Sequence, residues 1–420
     1  MRLKLKLAQV YRSEGAWRAV DAFSPRVLAL FLHTAALAAF GSAGYAVIAW
    51  VTSAFGLSYS LIPDPHSYIL VRRHGKGALR LGSIVTPVIL AKGLFCTAVA
   101  GLSAYYLLAP ELQASAGAAL PYYLLAGLIY GLSEAWWSYA GVIGLAAEQL
   151  RKTAQLGVLF RLLGLGLMGG ACALGLRNPA VLAVLYCSPL LLLLLFLMPC
   201  SWNVKRGLVF YSHGVRRYAL WSQGIGLSTG WLGQLVPLVA GLTPGISPHD
   251  MGVISYVTRV LGAAMTPLQV LQSLIIKLVA QCKDPRAPKV LRYDYWFKLA
   301  TIVLTVAYSI GLLVGHLHYH LSVELCLGLA LQGTGLFTVS WHRVALTSLM
   351  ASQKAKPLFL VGYLPVLVIS TALAWPVAQF SGVLGLSVLS LVGWVYIAFS
   401  WQLPLLSKAA AHPPTTARSA

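Results

Sequence analysis

Acidic side chains are scarce: the 420 residues include only 10 aspartates and glutamates, against 31 lysines and arginines. No two carboxylates stand at catalytic spacing, and the chain has neither a P-loop nor a nucleophile motif, so nothing supports ATP hydrolysis or covalent catalysis. The six cysteines (Cys96, Cys172, Cys187, Cys200, Cys282, Cys326) form no C-x-x-C pair. Most fall in apolar runs, which points to small apolar packing rather than disulfides or a metal site. Period-two alternation is missing, which argues against a β-barrel. The opening "MRLKLKLAQVYRSEGAWRAV" lacks the apolar core and small-residue cleavage site of a signal peptide; a basic segment lying on the inner leaflet is expected instead.

What fills the chain is hydrocarbon. Hydrophobic residues make up 58% and mean hydropathy is +0.76, more than a soluble core of this length can hide. Runs of about 20 apolar residues, long enough to cross a bilayer as helix, recur throughout. The expected spans are Val27 to Phe40, Tyr45 to Ile62, Ser83 to Leu108, Tyr122 to Leu145, Thr153 to Leu174, Val181 to Met198, Tyr218 to Ala240, Gly252 to Leu271, Phe297 to Val314, Val323 to Leu346, Leu358 to Leu373 and Val383 to Trp401. The fold class is therefore all-α and polytopic, with about 12 transmembrane helices in two parallel six-helix lobes.

The net charge of +21 raises the possibility of a nucleic-acid partner, but its placement excludes one. With both termini in the cytoplasm, four of the 31 cations fall within spans and one, Arg177, in an outer loop, leaving 26 in or beside cytoplasmic segments. That bias fixes orientation and puts the basic clusters against anionic headgroups. The expected organisation is a basic N-terminal segment (1–26), an N-lobe (27–199), an inter-lobe loop (200–217), a C-lobe (218–403) and a cytoplasmic tail (404–420).

A shift of 206 residues lays "AVIAWVTSAFG" (Ala46 to Gly56) on "GVISYVTRVLG" (Gly252 to Gly262) with five of eleven positions identical. Both stretches lie in the second span of a set of six and precede a basic cytoplasmic loop. Parallel six-span halves related by an axis along the membrane normal are a transporter architecture.

Apart from Lys298 at the very start of the ninth span, four cations lie inside spans: Lys92, Arg161, Arg259 and Arg343. A cation facing lipid at mid-bilayer costs at least a few kcal/mol, so such groups face protein or a wet cavity. At 1.5 Å per residue, Lys92 and Arg259 fall nearest the centre. Glu134 is the obvious carboxylate within a span to pair with them, since Glu324 sits at an outer mouth. A structural account is available, in which carbonyls, water or Glu134 satisfy each cation and Arg161 and Arg343 reach the inner surface. The functional account is an anion-receiving cavity.

Glu134 is also a candidate for coupling to a cation gradient, with a purely structural ion pair as the equal alternative; His33 could carry a proton, but a hydrogen-bonded interior histidine is the better reading. His316, His318 and His320 alternate in an expected outer loop without a fourth metal ligand. Trp136, Trp137 and Tyr139 beside Glu134 suit sugar stacking or plain packing, and "SQGIGLSTGWLGQ" suits close helix packing or a bent, cavity-lining helix.

"GSAGYAVIAWVTSAFGLSYSLIPDPHSYILVRRHGKGA", with a small outer turn, an aromatic helix and cytoplasmic arginines, resembles the first repeat of polysaccharide repeat-unit (O-antigen or exopolysaccharide) flippases of the multidrug/oligosaccharidyl-lipid/polysaccharide exporter superfamily. "MGVISYVTRVLGAAMTPLQVLQSLIIKLVAQ" is similar to the start of their second lobe. "RKTAQLGVLFRLLG" is similar to the start of their fifth helix, with Arg161 in the recurrent "FR" place. The resemblance implies a transporter, not an enzyme, that carries a polyprenyl-pyrophosphate-linked oligosaccharide from the inner to the outer leaflet of the plasma (inner) membrane. It needs no cofactor, and a polysaccharide polymerase and assembly proteins are the implied partners beside membrane lipids. Arg259, Lys92, Arg161 and Arg343 would receive the anionic head.

Three other classes stay open. A multidrug or metabolite exporter of the same superfamily would usually carry acidic cavity residues. A major-facilitator transporter would carry an acid in the loop after its second span, where "LVRRHGKGALR" has none. A membrane glycosyltransferase would need a sizeable catalytic outer loop.

Overall fold

The computed structural model describes residues 14–62, 76–146, 149–197, 216–265, 288–351 and 355–403. Among these, every regular element is a helix, and seven helices are long and apolar enough to cross a membrane. The protein is an all-α polytopic membrane protein. Helix suits such a sequence, because it bonds each backbone N–H and C=O within its own segment, where hydrocarbon offers no other partner. The basic clusters at Arg72 and Arg73 and at Lys205 and Arg206, the cysteines Cys200 and Cys282, and the tail 404–420 lie outside the described residues.

The chain divides into two compact units: Met1–Leu220 with Ser247–Arg259, and Trp221–Ile246 with Val260–Ala420. The first contains α1 (Glu14–Leu61), α2 (Lys76–Leu107), the short α3 (Pro110–Ala116), α4 (Leu120–Ala146), α5 (Leu150–Ala173) and α6 (Pro179–Leu197). Two of the expected spans share α1, which breaks at Gly41. Beyond the break Tyr45 to Val51 are buried without interruption, because α1 packs on α2, α4 and α5, while α6 packs on α4 and α5. One apolar core joins Val85 and Ile89 of α2, Trp137, Tyr139 and Ile143 of α4 and Leu190 and Leu194 of α6. Hydroxyls within the spans bond to their own helices, as Thr52 Oγ1 does to the Ile48 carbonyl at 2.8 Å, which removes the cost of placing them there.

The first unit also takes most of α8 (Pro248–Ala264), and α7 (Arg216–Ala240) falls mostly in the second. The second unit continues with α9 (Pro288–Tyr319), α10 (Val323–Trp341), α11 (Arg343–Ala351), the one-turn α12 (Ala355–Leu358), a π-helical turn (Phe359–Tyr363) and α13 (Leu364–Ser400). Its core gathers Ile225 and Leu232 of α7, Val339 of α10, Leu346 of α11 and Trp394 and Ile397 of α13. Trp231 Nε1 donates to Ser370 Oγ at 3.0 Å. The "SQGIGLSTGWLGQ" stretch lies within α7. The eighth expected span is described only as far as residue 265.

The tenth expected span, Val323 to Leu346, is interrupted. His342 leaves helical geometry (φ −94°, ψ 6°) and ends α10. Its ring lies 4.7 Å from that of Phe399 and accepts a 3.4 Å hydrogen bond from Trp401 Nε1. Arg343 therefore opens a separate short helix. His316 and His318 occupy the last turn of α9 rather than a loop, and His316 Nδ1 lies 2.8 Å from the Leu321 carbonyl.

Gly41 (φ 68°, ψ 177°) and Gly382 (φ 54°, ψ −143°) break α1 and α13 in conformations that only glycine adopts readily. Alanine at either position is expected to cost about 1–3 kcal/mol and to lower the thermal unfolding midpoint in detergent. Gly56→Ala, where a Cβ meets nothing within 4 Å, serves as the unstrained control and should leave the midpoint unchanged or raise it.

Candidate functional site

Polar chemistry in the first unit concentrates on three cations, each held differently. Arg161 on α5 is 1% exposed and forms an ion pair with Glu134 on α4, whose side chain is 27% exposed. Its Nη2 reaches Oε2 at 3.0 Å and Oε1 at 3.3 Å, and Nε reaches Oε1 at 3.4 Å. Below the guanidinium lies the Trp137 ring, 5.2 Å away. Trp137 and Tyr139 are thus committed to packing, and Trp136 lies against the same core.

Lys92 on α2 is 5% exposed. Its Nζ donates to the Ile62 carbonyl at 2.8 Å and sits 3.7 Å above the Tyr59 ring. Both partners belong to the C-terminal end of α1, where unsatisfied carbonyls and the helix dipole favour a cation.

Arg259 is half-buried on α8. Its Nη2 donates to Ser53 Oγ at 2.8 Å and to the Ala49 carbonyl at 3.2 Å, both on α1. Both acceptors are neutral. Among the described residues the carboxylate ion pairs are Arg161–Glu134 and Lys298–Asp294, so no described carboxylate neutralises Arg259, which stays charged at any physiological pH.

The Arg259 contact ends a seam along one face of α8. A Cβ at Gly252 would come 2.5 Å from the Ser42 carbonyl oxygen, so only glycine lets the two backbones approach there. Four residues on, Tyr256 meets Tyr45 edge-on at 6.2 Å, and its hydroxyl lies 3.0 Å from Thr34 Oγ1. Arg259 follows three residues later, which keeps all three on the same helical stripe. Beyond the Gly41 break the partners on α1, Ser42, Tyr45, Ala49 and Ser53, rise in the same order, so that part of α1 runs in the same direction as α8, while Thr34 lies on the part before the break. The residue facing Arg259 is Ser53, its counterpart under the 206-residue shift.

His33 is buried between Tyr45 and Tyr130, whose rings meet it edge-on at 5.7 and 5.6 Å. It lines a cavity of about 50 Å³ with Tyr130, Tyr186 and apolar side chains including Leu32, Met168 and Leu182. Arg343 belongs to the second unit, half-buried beside Tyr363. Lys92, Arg161 and Arg259 thus share a unit but occupy separate environments, and Glu134 serves only Arg161 among them. Among the described residues no group of three His, Cys, Asp or Glu is placed to hold a metal. Ser53, Thr34 and Tyr256 join the site; the repeat alignment sets Ser53 against Arg259 and Trp50 against Tyr256, while nothing in the sequence singles out Thr34.

No protein-family model and no curated protein matches the chain. Two crystal structures of the Vibrio cholerae MATE transporter VcmN are similar to it over 98% of each chain. A point mutant gives 13% identity with a TM-score of 0.46, and the bent form 14% with 0.43. The functional reading therefore rests on the chain's own residues.

Removing Glu134 alone leaves Arg161 buried and unpaired. Glu134→Ala is expected to destabilise the fold by about 3–5 kcal/mol, read as loss of monodisperse protein in fluorescence-detected size exclusion. Replacing both Glu134 and Arg161 with leucine should recover the folded peak, since apolar packing substitutes for a buried pair.

Proposed function

We propose that the chain is a multi-pass transporter of the plasma (inner) membrane, with both termini cytoplasmic. It moves a polyprenyl-pyrophosphate-linked oligosaccharide repeat unit to the outer leaflet for surface or exopolysaccharide assembly. The observation that carries this reading is Arg259, a permanent cation in an apolar helix held by two neutral oxygens. Such a group favours an anionic ligand: charge-assisted hydrogen bonds are about twice as strong as neutral ones, and guanidinium matches phosphate bidentately. A pyrophosphate head needs this kind of acceptor inside the membrane, while the polyprenyl tail stays in lipid. The resemblance of "GVISYVTRVLG" and "GVLFRLLG" to repeat-unit flippases supports the same substrate class.

In this scheme Arg259 makes first contact and Lys92 adds positive potential, joined by Arg161 once Glu134 releases it. Glu134 couples transport to a cation gradient: its partly exposed carboxyl holds Arg161, and protonation would free that arginine's charge. His33, lining the cavity of the first unit, is the second coupling candidate. A polysaccharide polymerase takes the delivered unit on the outer face.

Arg259→Ala is expected to abolish surface polysaccharide, with lipid-linked repeat units accumulating on the inner leaflet and membrane protein level unchanged. Arg259→Lys should fall between, keeping the charge but losing the fork. Normal polysaccharide in the alanine variant, at normal protein level, would refute the reading.

A further inference from the structure

The way Arg259 is held restricts how it can bind an anion. A guanidinium presents two bidentate edges, Nε with Nη2 and Nη1 with Nη2, so each edge uses one of the two Nη2 hydrogens. Here Nη2 serves two acceptors, Ser53 Oγ at 2.8 Å and the Ala49 carbonyl at 3.2 Å. While both bonds stand, a phosphate fork on either edge has to compete for Nη2. Paired phosphate oxygens offer stronger, charge-assisted bonds, so the two uses of Arg259 compete.

Competition matters because the arginine also holds helices together. Gly252, Tyr256 and Arg259 form one stripe on α8, and of the three Arg259 hydrogen-bonds to the part of α1 beyond the Gly41 break. The other polar contact of the stripe, Tyr256 with Thr34, is exposed. Withdrawing Arg259 leaves the seam with an edge-on ring pair and one exposed hydroxyl contact.

Resting on the proposed role of Arg259 as an anion contact, we propose that Ser53 and the Ala49 carbonyl form a resting seat for its guanidinium. A pyrophosphate-type anion lifts Arg259 from this seat, so loading the anion undocks α8 from α1. Ser53 is thus a positioning residue. It sets how much of the protein presents an open arginine fork, and apparent affinity scales with that fraction. Because Ser53 and Arg259 occupy equivalent places in the two repeats, the seat is the repeat's own counterpart position, altered in one copy to a donor and kept in the other as an acceptor.

The test uses the full-length chain in nanodiscs and inorganic pyrophosphate as the probe. Ser53→Ala is expected to tighten pyrophosphate binding by up to about tenfold. Ser53→Thr, which keeps the hydroxyl, should bind as the wild type does, and Arg259→Ala should not bind. A merely structural serine would not raise affinity on removal. A second readout places cysteines at Thr34 and Tyr256, with the native cysteines replaced, and joins them by a short bis-methanethiosulfonate reagent. Saturating pyrophosphate should slow that cross-link severalfold, and Ser53→Ala should slow it without pyrophosphate. Binding that needs Arg259, with an unchanged affinity in Ser53→Ala and an unchanged cross-linking rate, would overturn the seat and leave the transport reading standing. Absence of pyrophosphate binding to the wild type, or binding retained in Arg259→Ala, would overturn both.

Discussion

An arginine cannot shed its proton, and hydrocarbon cannot solvate it. Each cation in the first unit must therefore be accompanied, and the companion decides what the cation can still do. Arg161 has a carboxylate, which cancels its charge and satisfies two nitrogens. Lys92 has the carbonyl end of α1 and an aromatic face, a seat that fixes the helix terminus. Arg259 has two neutral oxygens, which stabilise the guanidinium but leave its charge in place. Of the three, Arg259 is the most exposed, which favours it as the contact for an incoming anion.

The same constraint shapes the helices around these groups. α1 breaks at Gly41, and its second part lies between α2, α4 and α5 with Tyr45 to Val51 buried. That rigid segment carries Ala49 and Ser53 on one stripe, so the Arg259 acceptors are fixed by packing rather than by a loop. α8 meets the stripe through Gly252, whose missing side chain permits backbone contact. A repeated helix thus packs on its own counterpart, and the position where the copies differ most in charge, Ser53 against Arg259, is where they bond.

Hydropathy made the spans legible because bilayer thickness sets their length and, without period-two alternation, helix is the form that satisfies the backbone in lipid. It made the breaks less legible. Gly41 falls where a small-residue turn was expected, but the end of α10 at His342 depends on Phe399 and Trp401, residues about 60 positions away whose rings meet that of the histidine. The Glu134–Arg161 pair was open to a sequence reading, since a lone carboxylate among cations must choose one. Which one it chose depends on how α4 and α5 pack. The Lys92 seat was invisible: nothing in "VILAKGLF" announces that its ammonium caps another helix. Ser53 was legible only as a missing charge, because self-comparison reports equivalence and says nothing of contact.

The proposed cargo of this membrane protein is anionic and lipid-linked. The most direct measurement reconstitutes the purified chain in vesicles holding a polyprenyl-pyrophosphate-linked sugar and follows the sugar's accessibility to an impermeant lectin under an imposed ion gradient. Time-dependent movement of the lipid-linked sugar across the bilayer is expected, with no uptake of an organic cation such as ethidium. Gradient-driven ethidium transport, with the lipid-linked sugar left in its original leaflet, would contradict it.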